Sequence, residues 1–537
     1  MSSVQVLPTF PGSSRQTKAK SVAMVGSIAA LLFLAIPSMA TIKIAPPCAL
    51  SSTNRTITVC TPGTSAVLSL PVHLVAATKD SNAVTSMQVL VDGVSAYQAA
   101  VSTVDVYLSS VAAGAHTITI NATDSLGTFS QTLPVTVSAN AGLTNIRHII
   151  YLVQENHSFD NYFGMLGVYK ASKGFPNNVD GLNLNATQTS YTTHQPIHPF
   201  HLQTECLQPP TPFWNQAWIT MDFGKMDMFA NGGSYSPIDP DVTRVMGYYD
   251  QTDLPYYYEL ATQFATSDRF FSPTPSNSNP NRMYLFAATS FGHIRPDTPP
   301  TGGWTQPTIF DHMDQANVSW RYYHLDNGIY LPQWSTYQRD AAKVVPMSNF
   351  YTDIQNEATL PSVIYIEHAG PSGLDEHPSH GNIQKGAAFV AQILNALMKS
   401  PSWASSVFIL TYDEAGGFYD QVTPQQVVAP DGIPPMLRVP QDQQGDFARS
   451  GFRVPVLVVS PWVKAHFVSH TWRDYTSILR LIESRFNVAP LTARDAAADN
   501  MIEFFDFTKP TWATPPPLPV QPTNGTCNVN LEKAPGF

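Results

Sequence analysis

The sequence has 537 residues, which is too long for one ordinary hydrophobic core, so two or more domains are expected. Its composition is that of a globular protein, with 43% hydrophobic and 13% charged residues and a formal net charge of -10. Binding to a phosphate backbone needs concentrated positive charge, and the sequence has no run of Lys or Arg, so the composition excludes a nucleic-acid-binding protein.

The first 40 residues have the pattern of an export signal. Three basic residues between positions 15 and 20 precede an apolar run from Val22 to Ile36, and small residues lead to Ala40. This order predicts a signal peptide over residues 1–40 that is removed after Ala40. An uncleaved membrane anchor is the alternative, which the shortness of the apolar run disfavours. We therefore expect a secreted or periplasmic protein.

The four cysteines fit an oxidising compartment. Cys48 and Cys60 are close enough in sequence for a local bridge across a hairpin. Cys206 and Cys527 would then be left as a long-range pair, although the spacing does not fix this connectivity.

Residues 41–138 have the pattern of a small all-β domain. They are rich in Val, Thr, Ser and Ala, with short alternating runs such as SMQVLVDG, HTITINATDS and TLPVTVS. Turn signals, among them Asp92-Gly93 and Leu126-Gly127, separate the runs at the spacing of a β-sandwich. The segment resembles the immunoglobulin-like modules of secreted bacterial proteins through VDG and AAGAHTITINATDSLG. We interpret it as a spacer or adhesion module without catalytic residues.

A linker, ANAGLTN, is predicted over residues 139–145, and the pattern then changes. From residue 146 to 508, apolar runs such as IRHIIYLVQ, SVIYIEH, VFILTYDE and VPVLVVSP alternate with helical periodicity, as in NIQKGAAFVAQILNALMKS and RDYTSILRLIESRF. Such alternation predicts an α/β domain with a mainly parallel sheet covered by helices on both faces. The Pro-rich tail, residues 509–537, is expected to extend over the surface.

Three of the predicted strands end on polar or acidic side chains. These pairs are Glu155-Asn156, Glu367-His368 and Asp413-Glu414. Because the carboxyl ends of parallel strands meet at one edge of a sheet, the pairs are expected to converge there. Oxygen donors gathered in this way suit a hard divalent cation, and nearby imidazoles would shift the preference toward a transition metal. For any single pair, a helix N-cap or a surface acid is the simpler interpretation.

The loop SPTPSNSNPNRMY, residues 272–284, is dense in Ser, Asn and Pro and leads into the predicted helix RMYLFAATS. A hydroxyl near a helix start suits phosphate chemistry, because unpaired N–H groups and the helix dipole stabilise anions. By composition alone, a Ser/Asn capping loop is the better interpretation.

Seven segments together resemble the phosphoesterase family of bacterial phospholipases C and acid phosphatases. They are ENHSFDNYFG (155–164), GKMDMF (224–229), MGYYDQTDLPYY (246–257), the NPNR loop, DEHPSHGNI (375–383), YDEAGGFYD (412–420) and FRVPVLVVSPW. The resemblance runs from about residue 146 to 507. It implies an alkaline-phosphatase-like α/β fold and a metal-dependent phosphoric ester hydrolase.

The resemblance also implies roles for particular residues. The implied metal ligands are Glu155, Asn156, Asp413 and Glu414. The implied catalytic residues are Ser278 and His377, and the implied substrate-binding residues are Asn156, Asn281 and Arg282.

A mechanism follows from these implied roles. Coordination to a divalent cation of unidentified type would lower the pKa of the Ser278 hydroxyl, which would attack phosphorus and form a phosphoserine. His377, partly protonated near neutral pH, would protonate the leaving alkoxide, and His380 could assist.

The sequence departs from the family pattern in ways that leave alternatives open. The histidine that many relatives carry before GKMD is missing, and the candidates to replace it are His194, His198 and His201. Gln421 follows Asp420 where relatives have a histidine, and Ala415 is smaller than usual. The nucleophile loop lacks a common glycine, so Ser276 remains an alternative to Ser278.

We expect a phospholipase C-like enzyme. The alternatives are an acid phosphatase acting on soluble phosphomonoesters and a catalytically impaired secreted binding protein. The aromatic loops 211–219 and 248–260 slightly favour a lipid substrate and contact with a membrane surface, since Tyr and Trp suit such boundaries. Internal packing explains such clusters at least as often, and the sequence does not indicate an oligomeric state.

Overall fold

The computed structural model describes residues 50–63, 67–68, 72–108, 111–112, 114–137, 142–367 and 370–537. The predicted signal peptide, Cys48 and His368 lie outside this part of the chain. Within it, no helix combines the length and the hydropathy that crossing a bilayer requires.

The N-terminal part consists of β-strands in two sheets. Its strands are β1 (Thr56–Thr61), β2 (Val67–Leu68), β3 (Val72–Lys79), β4 (Ser86–Val91), β5 (Val94–Ala99), β6 (Thr103–Leu108), β7 (Gly114–Asp124) and β8 (Gly127–Val137). One sheet has the order β1-β3-β6 and the other β2-β8-β7-β4-β5. Neighbours are antiparallel, except that β2 runs parallel to β8.

The two sheets share one apolar core. Leu74 and Val104 of the first sheet are buried together with Val89, Ile118 and Val135 of the second. The predicted turn at Asp92-Gly93 joins β4 to β5, and both residues have positive φ, 52° and 83°. The all-β prediction is therefore confirmed for the described residues, whereas the immunoglobulin-like assignment stays a prediction.

The rest of the chain alternates strands and helices. Its strands are β9 (His148–Gln154), β10 (Gln188–Thr189), β11 (Pro196–Ile197), β12 (Phe200–His201), β13 (Gly247–Tyr248), β14 (Ala265–Ser267), β15 (Phe270–Phe271), β16 (Trp320–His324), β17 (Val344–Pro346), β18 (Val363–Glu367), β19 (Ser406–Tyr412), β20 (Val456–Val459), β21 (Phe467–Ser469) and β22 (Arg473–Asp474). Its α-helices are α1 (Phe159–Phe163), α2 (Leu166–Ser172), α3 (Trp214–Met221), α4 (Phe229–Gly232), α5 (Pro255–Gln263), α6 (Ser278–Ala287), α7 (Ile309–Gln315), α8 (Ser335–Asp340), α9 (Ser348–Asp353), α10 (Ile383–Met398), α11 (Thr476–Phe486) and α12 (Ala493–Ala497).

One large sheet organises this part of the chain, in the strand order β17-β16-β18-β9-β19-β20-β14-β21. The strands β17, β16, β18, β9 and β19 are parallel to one another. The next strand, β20, is antiparallel to both of its neighbours. The mainly parallel sheet is thus confirmed, but VPVLVVSP, which the sequence pattern groups with the parallel strands, runs the other way.

Every residue of β9, β18, β19 and β20 is buried. Since successive side chains of a strand point to opposite faces, both faces of the sheet are covered. The two amphipathic segments form α10 and α11, as predicted, and the Asn382 side chain caps α10 by accepting from the Lys385 amide. The α/β class is therefore confirmed.

The end of the tail is fastened to the domain rather than lying loosely on it. We call residues 525–537 the C-terminal strap. The predicted long-range disulfide joins Cys206 to Cys527, with the two Cα atoms 5.0 Å apart. The Glu532 carboxylate accepts a hydrogen bond from the Gln208 amide at 2.7 Å. The strap therefore lies over the surface of the domain, where most of its residues are exposed, and is held there by the disulfide and this hydrogen bond.

Candidate active site

The ends of three parallel strands gather the predicted acidic residues. Tyr412 of β19 is in register with Gln154 of β9, so Asp413 and Glu155 leave the sheet side by side. The Asn156 amide donates to Asp413 Oδ1 at 3.0 Å. Glu367, the last residue of β18, lies at the same edge. The predicted convergence of these strand ends is observed.

Arg282 of α6 lies in the middle of these acids. Its guanidinium carries five N–H groups, and the structure gives each an acceptor. The acceptors are Asp413 (3.2 Å), Tyr365 (3.1 Å), the Val153 carbonyl (3.4 Å), Glu155 (2.7 Å) and Glu367. Because no N–H group remains for a phosphoryl oxygen and the side chain is only 1% exposed, the structure does not support the predicted substrate-binding role of Arg282.

One guanidinium does not neutralise the acids around it. Burial raises the pKa of Glu155, Glu367, Asp413 and Glu414. The adjacent Glu155, which shares a carboxyl–carboxyl hydrogen bond with Asp413, raises the pKa of Asp413 further. Arg282 lowers this pKa and so opposes the shift. Two acids in such contact need a proton or another cation between them.

Ser278 is the first residue of α6 and faces two of the predicted ligands. Its Oγ is 3.1 Å from Glu155 Oε2 and 3.3 Å from Asn156 Oδ1, so the hydroxyl can donate to either oxygen. The side chain is only partly buried, and the Ser278 and Asn279 amides at the start of the helix have no partners within it. The Ser278 hydroxyl is thus held beside backbone N–H groups that can bind an anion.

Asn281 holds the loop that carries Ser278. Its Oδ1 accepts from the Thr274 amide at 3.1 Å, and its Nδ2 donates to the carbonyls of Ser276 (2.8 Å) and Asn277 (3.1 Å). These bonds use the polar atoms of a fully buried side chain. The geometry favours a positioning role for Asn281, and the predicted substrate contact is not supported.

Ser276, the alternative nucleophile, has a different environment. Its side chain is buried and donates to the Ile294 carbonyl at 2.8 Å. Ser278 is therefore better placed for attack.

His377 lies on the opposite side of Asn156. Asn156 Nδ2 donates to His377 Nε2 at 3.3 Å, and His377 Nδ1 contacts the Pro378 carbonyl. Burial lowers the pKa of His377, and the stacked ring of His380, 4.8 Å away, lowers it further. A hydrogen bond to Asp375 in turn raises the pKa of His380. The lowered pKa reduces the protonated fraction of His377 near neutral pH.

The residue before His377 was not predicted from the sequence to contribute to the site. The buried Glu376 carboxylate accepts hydrogen bonds from four side chains, which are Tyr162 (2.8 Å), Tyr257 (2.7 Å), Tyr412 (2.6 Å) and Gln154 (2.9 Å). Its carbonyl accepts from His157 Nε2 at 2.9 Å. These bonds fix the loop that presents His377. The EHP motif, in which Glu376 adjoins His377, is the sequence feature that could have indicated this role.

Asn156 and Gly416 meet through their backbones. Both have positive φ, 62° and 69°. A Cβ added to Gly416 would lie 2.2 Å from the Asn156 carbonyl oxygen, so only glycine allows this approach. The turn after β19 is thereby packed directly onto the end of β9.

The oxygen donors around Ser278 are compatible with a divalent cation. Glu155 Oε2 and Asn156 Oδ1 flank the hydroxyl, and the buried Glu414 Oε1 has no hydrogen-bond partner. Hard cations take carboxylate and amide oxygens of this kind. Arg282 already compensates part of the negative charge, however, and the ligand atoms of Glu155, Asp413 and Glu414 do not all lie within 4.8 Å of one another.

The residues that depart from the family pattern have their own partners. His201 Nε2 is 2.8 Å from Asp253, and His198 Nδ1 is 3.1 Å from the Ala186 carbonyl. Neither side chain is directed at Ser278 by these contacts. Gln421 donates from its side chain to Asp180 at 2.8 Å and from its amide to Asp160 at 2.8 Å, which is a structural role.

Comparison with known proteins gives one family. The chain matches the Phosphoesterase family over residues 146–489. It is 30% identical over 432 residues to phospholipase C B of Mycobacterium tuberculosis, covering 70% of this chain and 80% of that protein. It is 31% identical over 372 residues to non-specific phospholipase C4 of Arabidopsis thaliana, covering 62% and 65%. The non-hemolytic phospholipase C of Burkholderia pseudomallei is 28% identical over 452 residues, covering 70% and 61%.

Similarity to solved structures is weaker. A protein in the alkaline phosphatase superfamily from Vibrio parahaemolyticus is 9% identical and covers 63% of this chain and 78% of that one, with a TM-score of 0.29. Fibronectin(III)-like modules of Clostridium thermocellum CbhA are 17% identical and cover 15% and 94%, with a TM-score of 0.14. At these TM-scores neither similarity assigns a fold.

Proposed function

The chain belongs to the phosphoesterase family and is a phosphoric ester hydrolase, and we propose that it is a metal-dependent enzyme of the phospholipase C type with Ser278 as its nucleophile. The position of the Ser278 hydroxyl between Glu155 and Asn156, at the start of α6, carries this proposal. The choice of lipid substrate is supported by relatives named as phospholipases C.

In the proposed reaction, the Ser278 oxygen forms a bond to phosphorus while the bond from phosphorus to the leaving alcohol breaks. The Ser278 proton passes to Glu155 Oε2, its nearer acceptor. The backbone amides of Ser278 and Asn279 and Asn156 Nδ2 stabilise the negative charge on the phosphoryl oxygens. Water then hydrolyses the phosphoserine and frees the enzyme.

A divalent cation held by Glu155, Asn156, Asp413 and Glu414 would supply charge neutralisation and a lower pKa for the hydroxyl. The unpartnered Glu414 Oε1 supports its presence. Arg282 keeps Glu155 and Asp413 together, and Asn281 fixes the loop, so both are positioning residues.

His377 is the proposed acid for the leaving group. Only its protonated form can give a proton to the departing alkoxide. Since burial and His380 lower the pKa of His377, the reaction should be favoured at acidic pH. Proton transfer of this kind contributes roughly 10²- to 10⁴-fold in rate.

The two aromatic loops that suggested membrane contact differ in how far their rings are exposed. In the segment 248–260, Tyr249, Tyr256, Tyr257 and Tyr258 are fully buried, so these rings belong to the core. In the segment 211–219, Phe213 is 47% exposed and Trp214 is buried, and the exposed rings of Phe223 and Tyr235 follow this segment in the chain. We place the proposed contact with lipid there, since exposed aromatic rings suit a membrane boundary.

The function is tested by assaying the purified protein on phosphatidylcholine vesicles and on p-nitrophenyl phosphate. We expect diacylglycerol from the vesicles, and a loss on the order of 10⁴-fold or more in Ser278→Ala. Ser276→Ala is the matched control and should stay active, because Ser276 bonds the Ile294 carbonyl.

Turnover of p-nitrophenyl phosphate without diacylglycerol would replace the phospholipase proposal with a soluble phosphomonoesterase. Equal activity of Ser278→Ala and the unmodified protein would refute the serine mechanism.

A further inference from the structure

A second polar cluster lies outside the Ser278 site, in the motif MGYYDQTDLPYY, for which the proposed reaction has no use. His201 ends β12, and β12 pairs in parallel with β13, which aligns His201 with Tyr248. The turn that follows β13 carries Asp250 and Asp253. The strand pairing therefore brings one imidazole and two carboxylates together.

These three side chains lie close enough together to hold a metal ion, although Asp253 Oδ2 also accepts from the Asp250 amide and Asp250 Oδ1 from the Thr252 amide. His201 Nε2 lies 2.8 Å from Asp253 Oδ2 and 3.8 Å from Asp250 Oδ1. Their ligand atoms all lie within 4.8 Å of one another, and no other such group of three His, Cys, Asp or Glu side chains occurs in the described part of the chain. Around a tetrahedral zinc ion with bonds of about 2.0 Å, neighbouring ligand atoms are roughly 3.3 Å apart. Small side-chain adjustments would therefore admit an ion.

Glu205 adds an unpartnered acidic group near the cluster. Its side chain is 7% exposed, and its Oε2 has no hydrogen-bond partner. A buried carboxylate oxygen without a partner is costly. Burial raises the pKa of Glu205, Asp253 raises it further and His201 lowers it, so Glu205 lies within electrostatic reach of both.

Glu205 lies next to Gln384, whose side chain bonds the backbone of Asp253. Gln384 Nε2 donates to the Asp253 carbonyl at 3.2 Å. A Cβ added to Gly525 would lie 2.7 Å from Gln384 Oε1 and 2.3 Å from Glu205 Oε1, which places the two side chains next to each other. The Glu205 amide donates to the Thr526 carbonyl at 2.7 Å, so the C-terminal strap closes over this side.

We propose that His201, Asp250 and Asp253 form a second divalent-metal site that is structural and separate from the Ser278 site, with the buried Glu205 carboxylate nearby. The imidazole nitrogen favours a transition metal such as Zn²⁺ over Ca²⁺ or Mg²⁺, which prefer oxygen donors alone. The site joins the end of β12 to the turn before α5.

The test measures Zn²⁺ binding to the chelator-treated full-length protein by calorimetry. Asp413→Asn is used as the background, so that binding at the Ser278 site is weakened and the two sites can be told apart. In this background we expect the protein to bind one equivalent of Zn²⁺. Adding His201→Gln should weaken this binding at least tenfold. His198→Gln is the matched control, because His198 bonds the Ala186 carbonyl, and it should bind as before.

Thermal unfolding of the same proteins provides a second measurement. Zn²⁺ should raise the midpoint in the Asp413→Asn protein and have a smaller effect when His201→Gln is added. If His201→Gln does not fold, Asp250→Asn, which alters the more exposed acid, takes its place.

Unchanged Zn²⁺ affinity in a folded His201→Gln or Asp250→Asn protein would overturn the proposal. Displacement of Zn²⁺ by an equal concentration of Ca²⁺ would overturn the assignment to a transition metal.

Discussion

Arg282 brings one positive charge to acids that end neighbouring strands. Burying a charge is expensive unless it is paired and hydrogen-bonded, and Arg282 meets both conditions through its five donors. It also reduces the repulsion between Glu155 and Asp413, whose carboxyl groups are in contact. The acids proposed to hold the cation are thus assembled in part by a residue whose five N–H groups are already used.

Arg282→Met should destabilise the fold strongly. Removing one partner of a buried ion pair leaves uncompensated charge and typically costs about 3–5 kcal/mol. Urea denaturation at pH 7 measures the change in the free energy of unfolding. Because the pKa values of Glu155, Glu367 and Asp413 are raised in the folded state, acidification protonates these groups and should reduce the defect.

Arg282→Lys is the matched control, since it keeps the charge but has fewer donors and lacks the planar fork. We expect an intermediate loss of stability. If Arg282→Met matched the unmodified protein in urea, the guanidinium would not be what holds the acids together.

The two stacked histidines give a prediction about pH. Activity that needs protonated His377 falls as the pH rises through the pKa of His377. His380→Gln removes a positive charge that lowers this pKa, so the pKa should rise and the falling limb of kcat/KM should move to higher pH.

The pH dependence of diacylglycerol release from phosphatidylcholine vesicles measures this shift, because an alkoxide leaving group needs the proton. His312→Gln is the control, because His312 bonds the Ala489 carbonyl and should leave the profile unchanged. A falling limb that stays in place in His380→Gln would rule out His377 as the acid.

At the level of strands and helices, the sequence predicted where the acidic residues at the strand ends would lie. It did not predict that Arg282 would be their charge partner. Apolar runs that end on Glu155, Glu367 and Asp413 are local patterns, and a parallel sheet brings such ends together. The placement of Arg282 depends on how α6 packs against that edge, which no local pattern encodes. The same holds for Asn281, whose bonds are made to a loop of irregular shape.

The direction of β20 was also beyond local patterns. A buried strand has the same apolar composition whether it runs parallel or antiparallel to its neighbours. The long connection between β19 and β20 has no α-helix in the described residues, so β20 does not follow the strand-helix-strand pattern.

The turn after β19 is the basis of a further prediction. Gly416→Ala would place a Cβ 2.2 Å from the Asn156 carbonyl and push this turn away from β9. A displacement of about 1 Å at a reacting group can cost on the order of 10²-fold in rate. We expect a loss of that size in kcat/KM for p-nitrophenyl phosphate.

Gly174→Ala separates this effect from backbone strain. Gly174 also has positive φ, 84°, but a Cβ there meets nothing within 4 Å. Both variants should lose about 1 kcal/mol or more of stability from the unfavourable φ, and only Gly416→Ala should lose activity. Equal activities of the two variants would contradict the packing of the turn on Asn156.

At the level of the whole molecule, the C-terminal strap and the disulfide connect distant parts of the chain. The sequence predicted the all-β and α/β parts from their composition and alternation. It also left Cys206 and Cys527 as a pair, and this pairing is confirmed. It did not predict that the strap packs on the domain, because a Pro-rich composition carries no hydrophobic periodicity.

Replacing both Cys206 and Cys527 by Ala should lower stability without removing activity. A disulfide stabilises mainly by restricting the unfolded chain, typically by about 2–5 kcal/mol, and this one closes a loop with a sequence separation of 321. Guanidinium denaturation and hydrolysis of p-nitrophenyl phosphate measure the two effects. An unchanged denaturation midpoint would show that the strap does not need its disulfide.

The strap also sets an order for biosynthesis. Residues 204–208 receive the partners Thr526, Cys527 and Glu532 only after more than 300 further residues have been made. At a translation rate of about 5–20 residues per second, that delay is roughly 15–60 s. Many small domains fold within such an interval. The β1 to β8 module can therefore mature early, while fastening of the strap is a late event of chain maturation.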